Sequence, residues 1–181
     1  EAVLVLDTEG SFDTCNSQQQ YATIFGLAGM MSSLLIFNVQ GDIQENMLRG
    51  LEDSFMDAKL LFLVRDWHNS RNYGGEEGRR VLAMKMATPY AMDREMERDC
   101  FLLPYPGEVV AEGSLEDVRL RDLTPRFQNN VDALMQELFT PSRLPIKKIG
   151  GNEISFRQWI ELVQELAAQQ AELAPLCDRL Y

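Results

Sequence analysis

Four short apolar runs, separated by stretches of helical periodicity, constrain the fold of this chain more than any other feature. They cover residues 3–6, 34–39, 60–64 and 100–103. Apolar runs of this length, rich in β-branched or aromatic side chains, are typical of strands buried on both faces of a sheet. Strands that alternate with helices form βαβ units, so the sequence predicts an α/β fold with a mostly parallel sheet flanked by helices.

The stretches between the runs predict the helices. Apolar residues recur at helical spacing over about residues 21–31, 43–55, 91–98, 123–138 and 156–172. Asp42 is placed to cap the second helix, and Thr124 followed by Pro125 is a typical start for the fourth. Residues 68–80 are polar and contain three glycines, so they predict a mobile loop.

Composition and charge exclude several classes of function. The 181 residues fit one domain of ordinary size or slightly more, and 45% of them are hydrophobic, which is enough for a sizeable core. A net charge of −11 disfavours a nucleic acid or an anionic membrane as the main partner. Three widely spaced cysteines and one histidine, His68, indicate neither a disulfide framework nor a zinc site. We therefore expect a globular protein of a reducing compartment that does not bind nucleic acid.

The first apolar run ends in a pattern that phosphate-binding enzymes use. Asp7 follows the run directly, and Gly10 stands three residues later. Ligands of open α/β sheets bind beyond the carboxyl ends of the strands, where Asp7 is expected. An aspartate there can hold the water shell of Mg²⁺, and a glycine lets a backbone N–H approach a terminal phosphate. An ordinary strand-to-turn junction has the same pattern, and Glu9 is then an exposed turn residue.

Arg65 and Asp66 form a second candidate site at the end of the third run. A carboxylate can accept two parallel hydrogen bonds from N1–H and the 2-amino group of guanine, a pair of donors that adenine lacks. The planar guanidinium of Arg65 can pack beside the base. The alternative is a solvated ion pair at a strand end.

The fourth run ends in the sequence Pro-Tyr-Pro-Gly at residues 104–107. A rigid turn at the same edge of the sheet can cap a base from the other side, although a plain loop has the same composition. His68 lies in the polar stretch after Asp66, where a solvated histidine is more typical than a catalytic one.

Four motifs in a fixed order give the chain a family likeness. They are D-T-E-G at residues 7–10, S-L-L-I-F-N-V-Q-G-D-I-Q-E-N at 33–46, L-F-L-V-R-D-W at 61–67 and C-F-L-L-P-Y-P-G at 100–107. Together they resemble the dynamin-like GTPases of the atlastin and guanylate-binding-protein group, with the greater similarity to atlastins. The likeness continues over residues 149–166 and covers nearly the whole chain. It implies a partial P-loop-GTPase-type domain whose C-terminal helices lead to a linker.

The resemblance implies roles for the first motif. Asp7 corresponds to the family's aspartate that holds Mg²⁺ through water. Gly10 corresponds to the glycine that senses the γ-phosphate, and Glu9 beside it is the second candidate catalytic position. Atlastins usually have glutamine at the position of Glu9, whereas glutamate is more like the guanylate-binding proteins, so the subfamily stays open.

The resemblance also implies how a guanine nucleotide would be bound. Arg65 and Asp66 correspond to the arginine–aspartate pair that selects guanine in this family. Val110 and Gly113 fall where the family's guanine-cap loop contacts the nucleotide. The implied ligands are GTP or GDP together with Mg²⁺.

The implied activity of the whole protein is Mg²⁺-dependent GTP hydrolysis with homodimerisation through the nucleotide face. For atlastins it extends to homotypic fusion of endoplasmic reticulum membranes from their cytoplasmic side. Residues 1–150 then form the C-terminal portion of the GTPase domain, and residues 151–181 form the last helix and a linker towards a helical middle domain. Membrane contact is expected only through segments outside this chain.

One motif of the family is missing from the sequence. No G-x-x-x-x-G-K-[ST] occurs in the 181 residues. We therefore expect a fragment whose phosphate-binding loop precedes Glu1 and which hydrolyses no GTP alone. Two alternatives stay open: a cytosolic effector GTPase like the guanylate-binding proteins, and a non-catalytic dimerisation module with a degenerate GTPase fold.

Overall fold

The computed structural model describes residues 3–8, 18–44, 58–69, 71–87, 97–112 and 118–177. The chain divides into two compact units. The smaller unit comprises residues 1–33, 55–58 and 146–181, and the larger comprises residues 34–54 and 59–145. Most of the predicted helices at 43–55 and 91–98 lies outside the described residues.

Strands and helices alternate along the chain, as the sequence predicts. In chain order the elements are α1 (Gln18–Met31), β1 (Leu34–Gln40), β2 (Lys59–Arg65), α2 (Gly74–Met86), β3 (Arg98–Leu102), α3 (Glu108–Glu112), α4 (Pro125–Phe139), β4 (Lys148–Ile149), β5 (Asn152–Glu153) and α5 (Phe156–Cys177). The predicted α/β class is confirmed.

The larger unit contains a three-stranded parallel sheet in the order β1-β2-β3. The first residues of β1 and β2, Leu34 and Lys59, are paired, so the carboxyl ends of the strands meet at one edge. In the central strand, Leu60, Phe62 and Val64 have no exposed surface. Because a central parallel strand is covered on both faces, its sequence is an unbroken apolar run.

The first predicted strand is wrong. Residues 3–8 have no regular secondary structure and do not belong to the sheet. Val3, Leu4, Val5 and Leu6 expose between 49% and 75% of their surface. An apolar run favours a strand only where a neighbouring backbone supplies a hydrogen-bond ladder and other elements cover its faces. In the described structure, residues 3–8 are neither paired in a ladder nor covered.

The predicted loop at residues 68–80 is also wrong over its second half, because α2 begins at Gly74. Gly78 lies against the backbone of β3, where a Cβ atom would come within 2.1 Å of the Cys100 carbonyl oxygen. One turn further along, Val81 and Leu82 are buried. Gly78 therefore allows close packing of a helix on a strand and does not mark a loop.

Helix α4 covers one face of the sheet and begins as the sequence predicts. The Phe127 N–H donates to the Thr124 hydroxyl (3.3 Å), and proline occupies the first helical position. This cap satisfies one of the N–H groups that a helix start leaves without a partner. The buried cluster between the helix and the sheet consists of Leu134 from the helix together with Leu61, Phe101 and Leu103.

The smaller unit holds α1, the β4–β5 hairpin and α5. The indole Nε1 of Trp159 in α5 donates to the Met31 carbonyl at 2.7 Å. Lys147 Nζ donates to the Ser32 carbonyl at 2.8 Å, just after the end of α1. A cation at this end satisfies carbonyls that lack helical partners and complements the helix dipole. The predicted break at residues 150–151 is the hairpin turn, where both glycines have positive φ.

Candidate functional site

The carboxyl ends of β1, β2 and β3 lie side by side at one edge of the sheet. Backbone hydrogen bonds continue past the strands, from the Gly41 N–H to the Arg65 carbonyl (2.8 Å) and from the Trp67 N–H to the Leu103 carbonyl (3.0 Å). Asp66 therefore lies between two residues whose backbones are hydrogen-bonded to neighbouring segments, Arg65 to the end of β1 and Trp67 to the end of β3. This is the edge at which open α/β sheets bind their ligands.

Asp66 has an unusual backbone conformation. Its φ is 55°, and it is the one non-glycine residue with positive φ among the described residues. Aspartate tolerates this left-handed region better than bulky or β-branched residues do. Its carboxylate Oδ2 accepts a hydrogen bond from Gln40 Nε2 at 3.0 Å. Nδ1 of His68 lies 3.0 Å from the Asp66 carbonyl oxygen, so both the backbone and the side chain of this residue are held.

The Arg65 side chain is exposed and is also held by β1. Its Nε donates to Asn38 Oδ1 at 2.6 Å. Gln40 is paired directly with Arg65 in the register, and Asn38 lies two residues earlier on the same face of the strand. In the described part of the chain no ion pair joins Arg65 to Asp66, and the choice between a nucleotide site and a solvated strand end stays open. Each of the two charged side chains has a neutral amide as its partner.

The turn at residues 104–107 is tied to the start of α4. The Thr124 N–H donates to the Pro106 carbonyl at 2.8 Å, and the Thr124 hydroxyl donates to the Tyr105 carbonyl at 3.3 Å. Gly107 has a φ of 128°, a conformation that favours glycine. Tyr105 exposes 45% of its surface from this fixed turn. The predicted rigid turn is present, and its contact with a base stays a prediction.

Val110, predicted to contact the nucleotide, lies in the short helix α3 that follows this turn. It is half-buried, and its N–H donates to the Gly107 carbonyl at 3.2 Å. Gly113 lies outside the described residues. The guanine-cap assignment therefore stays a prediction for both residues.

The residues predicted for Mg²⁺ and the terminal phosphate are described only in part. Asp7 is exposed within residues 3–8, which form no strand of the sheet, so its predicted position at the carboxyl end of a strand is wrong. Glu9 and Gly10 lie outside the described residues. The described residues include no group of three or more His, Cys, Asp or Glu side chains placed to hold a metal ion. Magnesium at nucleotide sites is usually held by one or two carboxylates together with phosphates and water. An exposed carboxylate such as that of Asp7 fits this role.

The strand-end group, defined as Asn38, Gln40, Arg65 and Asp66, has the chemistry for recognising a base. A carboxylate offers about four lone-pair positions, and Gln40 uses one of those on Asp66. The remaining positions suit a ligand with two adjacent N–H donors, such as guanine. The bond from Arg65 to Asn38 is made through Nε and not through the two terminal nitrogens of the guanidinium. The guanidinium also presents a planar surface.

Sequence reasoning missed the two amides of this group. Asn38 interrupts the second apolar run and Gln40 directly follows it, and residues two apart in a strand lie on the same face. That pattern indicates a polar patch near the strand end. Which residues it contacts depends on the register between β1 and β2.

A cavity of about 390 Å³ opens at the amino edge of the same sheet. Its charged side chains pair with one another, Lys59 with Glu97 (2.7 Å) and Arg79 with both Asp99 (3.3 Å) and Glu137 (3.6 Å). Three acidic and three basic side chains line this cavity, the third basic one being Arg143. Its lining residues do not include the strand-end group, so the cavity is separate from that group.

Comparisons with known proteins agree with the family likeness. Residues 1–54 match the family described as guanylate-binding protein, N-terminal domain. The chain is 32% identical to mouse atlastin-1 over 187 aligned residues, which cover 88% of the chain and 34% of that protein. It is 32% identical to Drosophila melanogaster atlastin over 90% of the chain and 35% of that protein. Human atlastin-2 is 30% identical over 88% of the chain and 32% of that protein.

An α/β sheet with an arginine–aspartate pair at its carboxyl edge is the arrangement that the family likeness predicts. Together with the matches, it supports the dynamin-like GTPase family for this chain, of the atlastin and guanylate-binding-protein type. The predicted resemblance is thereby confirmed. The chain spans about a third of the length of the curated relatives it matches. Within the described residues, each helix is too short or too polar to cross a membrane.

Proposed function

We propose that this chain is part of a guanine-nucleotide-binding and GTP-hydrolysing domain. The observation that carries the proposal is the strand-end group. Asp66 lies at the carboxyl edge of a parallel sheet, with a carboxylate fixed by one amide and open to further donors. Guanine offers the N1–H and 2-amino donors that match such a carboxylate, and adenine does not.

In this proposal the remaining predicted residues act on the phosphates and on the base. Asp7 holds Mg²⁺, Gly10 reports the γ-phosphate and Glu9 contacts the nucleotide or the attacking water. When bound, Mg²⁺ supplies positive charge that neutralises the phosphate oxygens during hydrolysis. Val110, in helix α3, and Gly113 belong to the segment that covers the base.

For the whole protein we propose the activity that the atlastin likeness implies. GTP binding drives homodimerisation through the nucleotide face, and the dimer tethers and fuses endoplasmic reticulum membranes from the cytoplasmic side. In this scheme residues 1–150 belong to the GTPase domain and residues 151–181 lead to a helical middle domain. Contact with the membrane is made through other segments of the protein.

A second candidate is a cytosolic effector GTPase like the guanylate-binding proteins. Two observations favour it. Residues 1–54 match the guanylate-binding-protein N-terminal domain, and Glu9 is the residue type more typical of that group. The two candidates share the nucleotide site and differ in what it drives, because only the first requires fusion of membrane vesicles.

The test is nucleotide binding and turnover by the full-length parent protein, with GTP and ATP compared at matched Mg²⁺. The variants are Asp66→Ala and, as a control, Asp132→Ala on the exposed face of α4. Two hydrogen bonds to a charged group contribute about 3–6 kcal/mol, so Asp66→Ala should weaken GTP binding by roughly 10²- to 10⁴-fold. The control should bind as the wild type does. The 181-residue chain alone, without a G-x-x-x-x-G-K-[ST] loop, should hydrolyse no GTP.

The outcome separates the classes of function. Selective turnover of GTP by the wild type, lost in Asp66→Ala, supports the GTPase proposal. A parent protein that binds no guanine nucleotide would refute it, and the chain would then be a dimerisation module with a degenerate GTPase fold.

A further inference from the structure

We infer that Gln40 is a positioning residue for guanine selection, acting through the carboxylate of Asp66. This inference rests on the proposed function, because it concerns how the same site distinguishes guanine from related bases. In this inference two neighbouring strands together distinguish guanine from related bases. Asp66 at the end of β2 contacts the base, and Gln40 at the end of β1 holds the Asp66 carboxylate in place.

The register explains why Gln40 reaches Asp66. Gln40 is the last residue of β1 and pairs with Arg65, the last residue of β2. Asp66 follows immediately, with its backbone turned into the left-handed region. The side-chain amide of Gln40 therefore approaches the carboxylate from the neighbouring strand, and Nε2 lies 3.0 Å from Oδ2.

A carboxylate on a strand end needs such a partner in order to present a fixed plane. The terminal torsion of aspartate is broad and has no sharp preferred angle. Bidentate recognition of guanine requires both oxygens to lie in the plane of the base. The Gln40 amide fixes one oxygen while occupying one lone-pair position, so both oxygens retain capacity for the base.

The neighbouring residue is held in the same way. Asn38, two positions before Gln40 on the same face, accepts a hydrogen bond from Nε of Arg65 at 2.6 Å. The end of β1 thus supplies one amide to each member of the arginine–aspartate pair. Neutral amides suit this role because they orient a charged side chain without cancelling its charge.

The readout that isolates positioning is the ratio of GDP affinity to IDP affinity. Hypoxanthine, the base of IDP, has the N1–H donor of guanine but lacks the 2-amino group. The ratio therefore reports the second hydrogen bond to Asp66. Loss of the orienting amide should lower this ratio roughly three- to tenfold, the range expected for partial loss of one hydrogen bond to a charged group. General damage to the fold weakens GDP and IDP equally and leaves the ratio unchanged.

The experiment measures fluorescent GDP, IDP and ADP binding to the full-length parent protein. The variants are Gln40→Met, which keeps the length of the side chain, and Gln40→Ala. Gln136→Ala, on the exposed face of α4, is the matched control and should keep the wild-type ratio. In an Asp66→Ala background, Gln40→Met should cause no further change, because the group that Gln40 orients is absent.

Two results overturn the inference in distinguishable ways. If the wild type prefers GDP to IDP and Asp66→Ala abolishes that preference, but both Gln40 variants retain it, Gln40 does not position Asp66. If the wild type binds GDP no better than ADP, the proposed function fails and the inference fails with it.

Discussion

Gly78→Ala is expected to destabilise the protein because no space exists for the added methyl group. Gly78 lies in α2 against the backbone of β3. A Cβ atom there would lie 2.1 Å from the Cys100 carbonyl oxygen, 2.6 Å from its carbonyl carbon and 3.0 Å from the Phe101 nitrogen. These are backbone atoms of a paired strand, so relief requires movement of the whole helix. That movement would disturb the buried side chains of Val81 and Leu82.

The size of the effect follows from two opposing contributions to the free energy of unfolding. Forcing a methyl group into a packed site typically costs about 1–3 kcal/mol, and contact with rigid backbone places this site at the upper end. Alanine gains about 1 kcal/mol over glycine in a helix interior. The net loss is about 2 kcal/mol, which for a chain of this length lowers the melting temperature by about 4–8 °C.

Thermal unfolding followed by circular dichroism tests this expectation. Gly26→Ala in α1 is the matched control, since a Cβ atom at that position meets nothing within 4 Å. The same substitution should therefore raise the melting temperature there, as the helix propensity alone predicts. A Gly78→Ala protein as stable as the Gly26→Ala protein would refute the close packing of α2 on β3.

Two further predictions concern the start of α4 and the buried thiol. Thr124→Ala removes the acceptor for the Phe127 N–H and should cost about 1 kcal/mol of stability, with recovery in Thr124→Ser, measured by urea unfolding. Burial, reinforced by the negative charge of Asp99, raises the pKa of the Cys100 thiol from its ordinary 9.0 to about 12. The stability from this group is present below pH 9 and is lost as the pH rises towards 12, so Cys100→Ala should show a weaker alkaline loss of stability.

The elements that the sequence predicts correctly are those whose signal is local. The central strand β2 is apolar at every position from Leu60 to Val64, because both of its faces are covered. Helix α4 combines a regular apolar spacing with Thr124 and Pro125 at its start, and both signals lie within a few residues of each other. No distant contact is needed to interpret either pattern.

The elements that the sequence predicts wrongly depend on distant partners. The run at residues 3–6 resembles β2 in composition, but a strand also needs a paired neighbour, which composition does not encode. Gly78 is compatible with a loop or with close packing. The choice between them is made by the backbone at Cys100, which lies 22 positions further along the chain.

The same contrast between local signals and distant contacts applies to the candidate site. Arg65 and Asp66 can be predicted because a charged pair directly after a buried strand is visible in the sequence. The role of Gln40 cannot, because it depends on a strand register that joins residues 26 positions apart. Likewise, nothing near Asp66 in the sequence predicts its positive φ.

The left-handed backbone at Asp66 also limits which residues can replace it during evolution. At a φ of 55°, asparagine and glycine are accepted with little strain, whereas valine, isoleucine and other bulky residues are strongly disfavoured. Replacement by a bulky or β-branched residue would therefore be selected against through its cost to folding, independently of any effect on ligand binding. Asparagine is compatible with this backbone conformation. It replaces the negative carboxylate, which only accepts hydrogen bonds, with a neutral amide that has a carbonyl acceptor and an NH₂ donor group. A change in what this strand end recognises is thus one substitution away, along a path that the backbone leaves open.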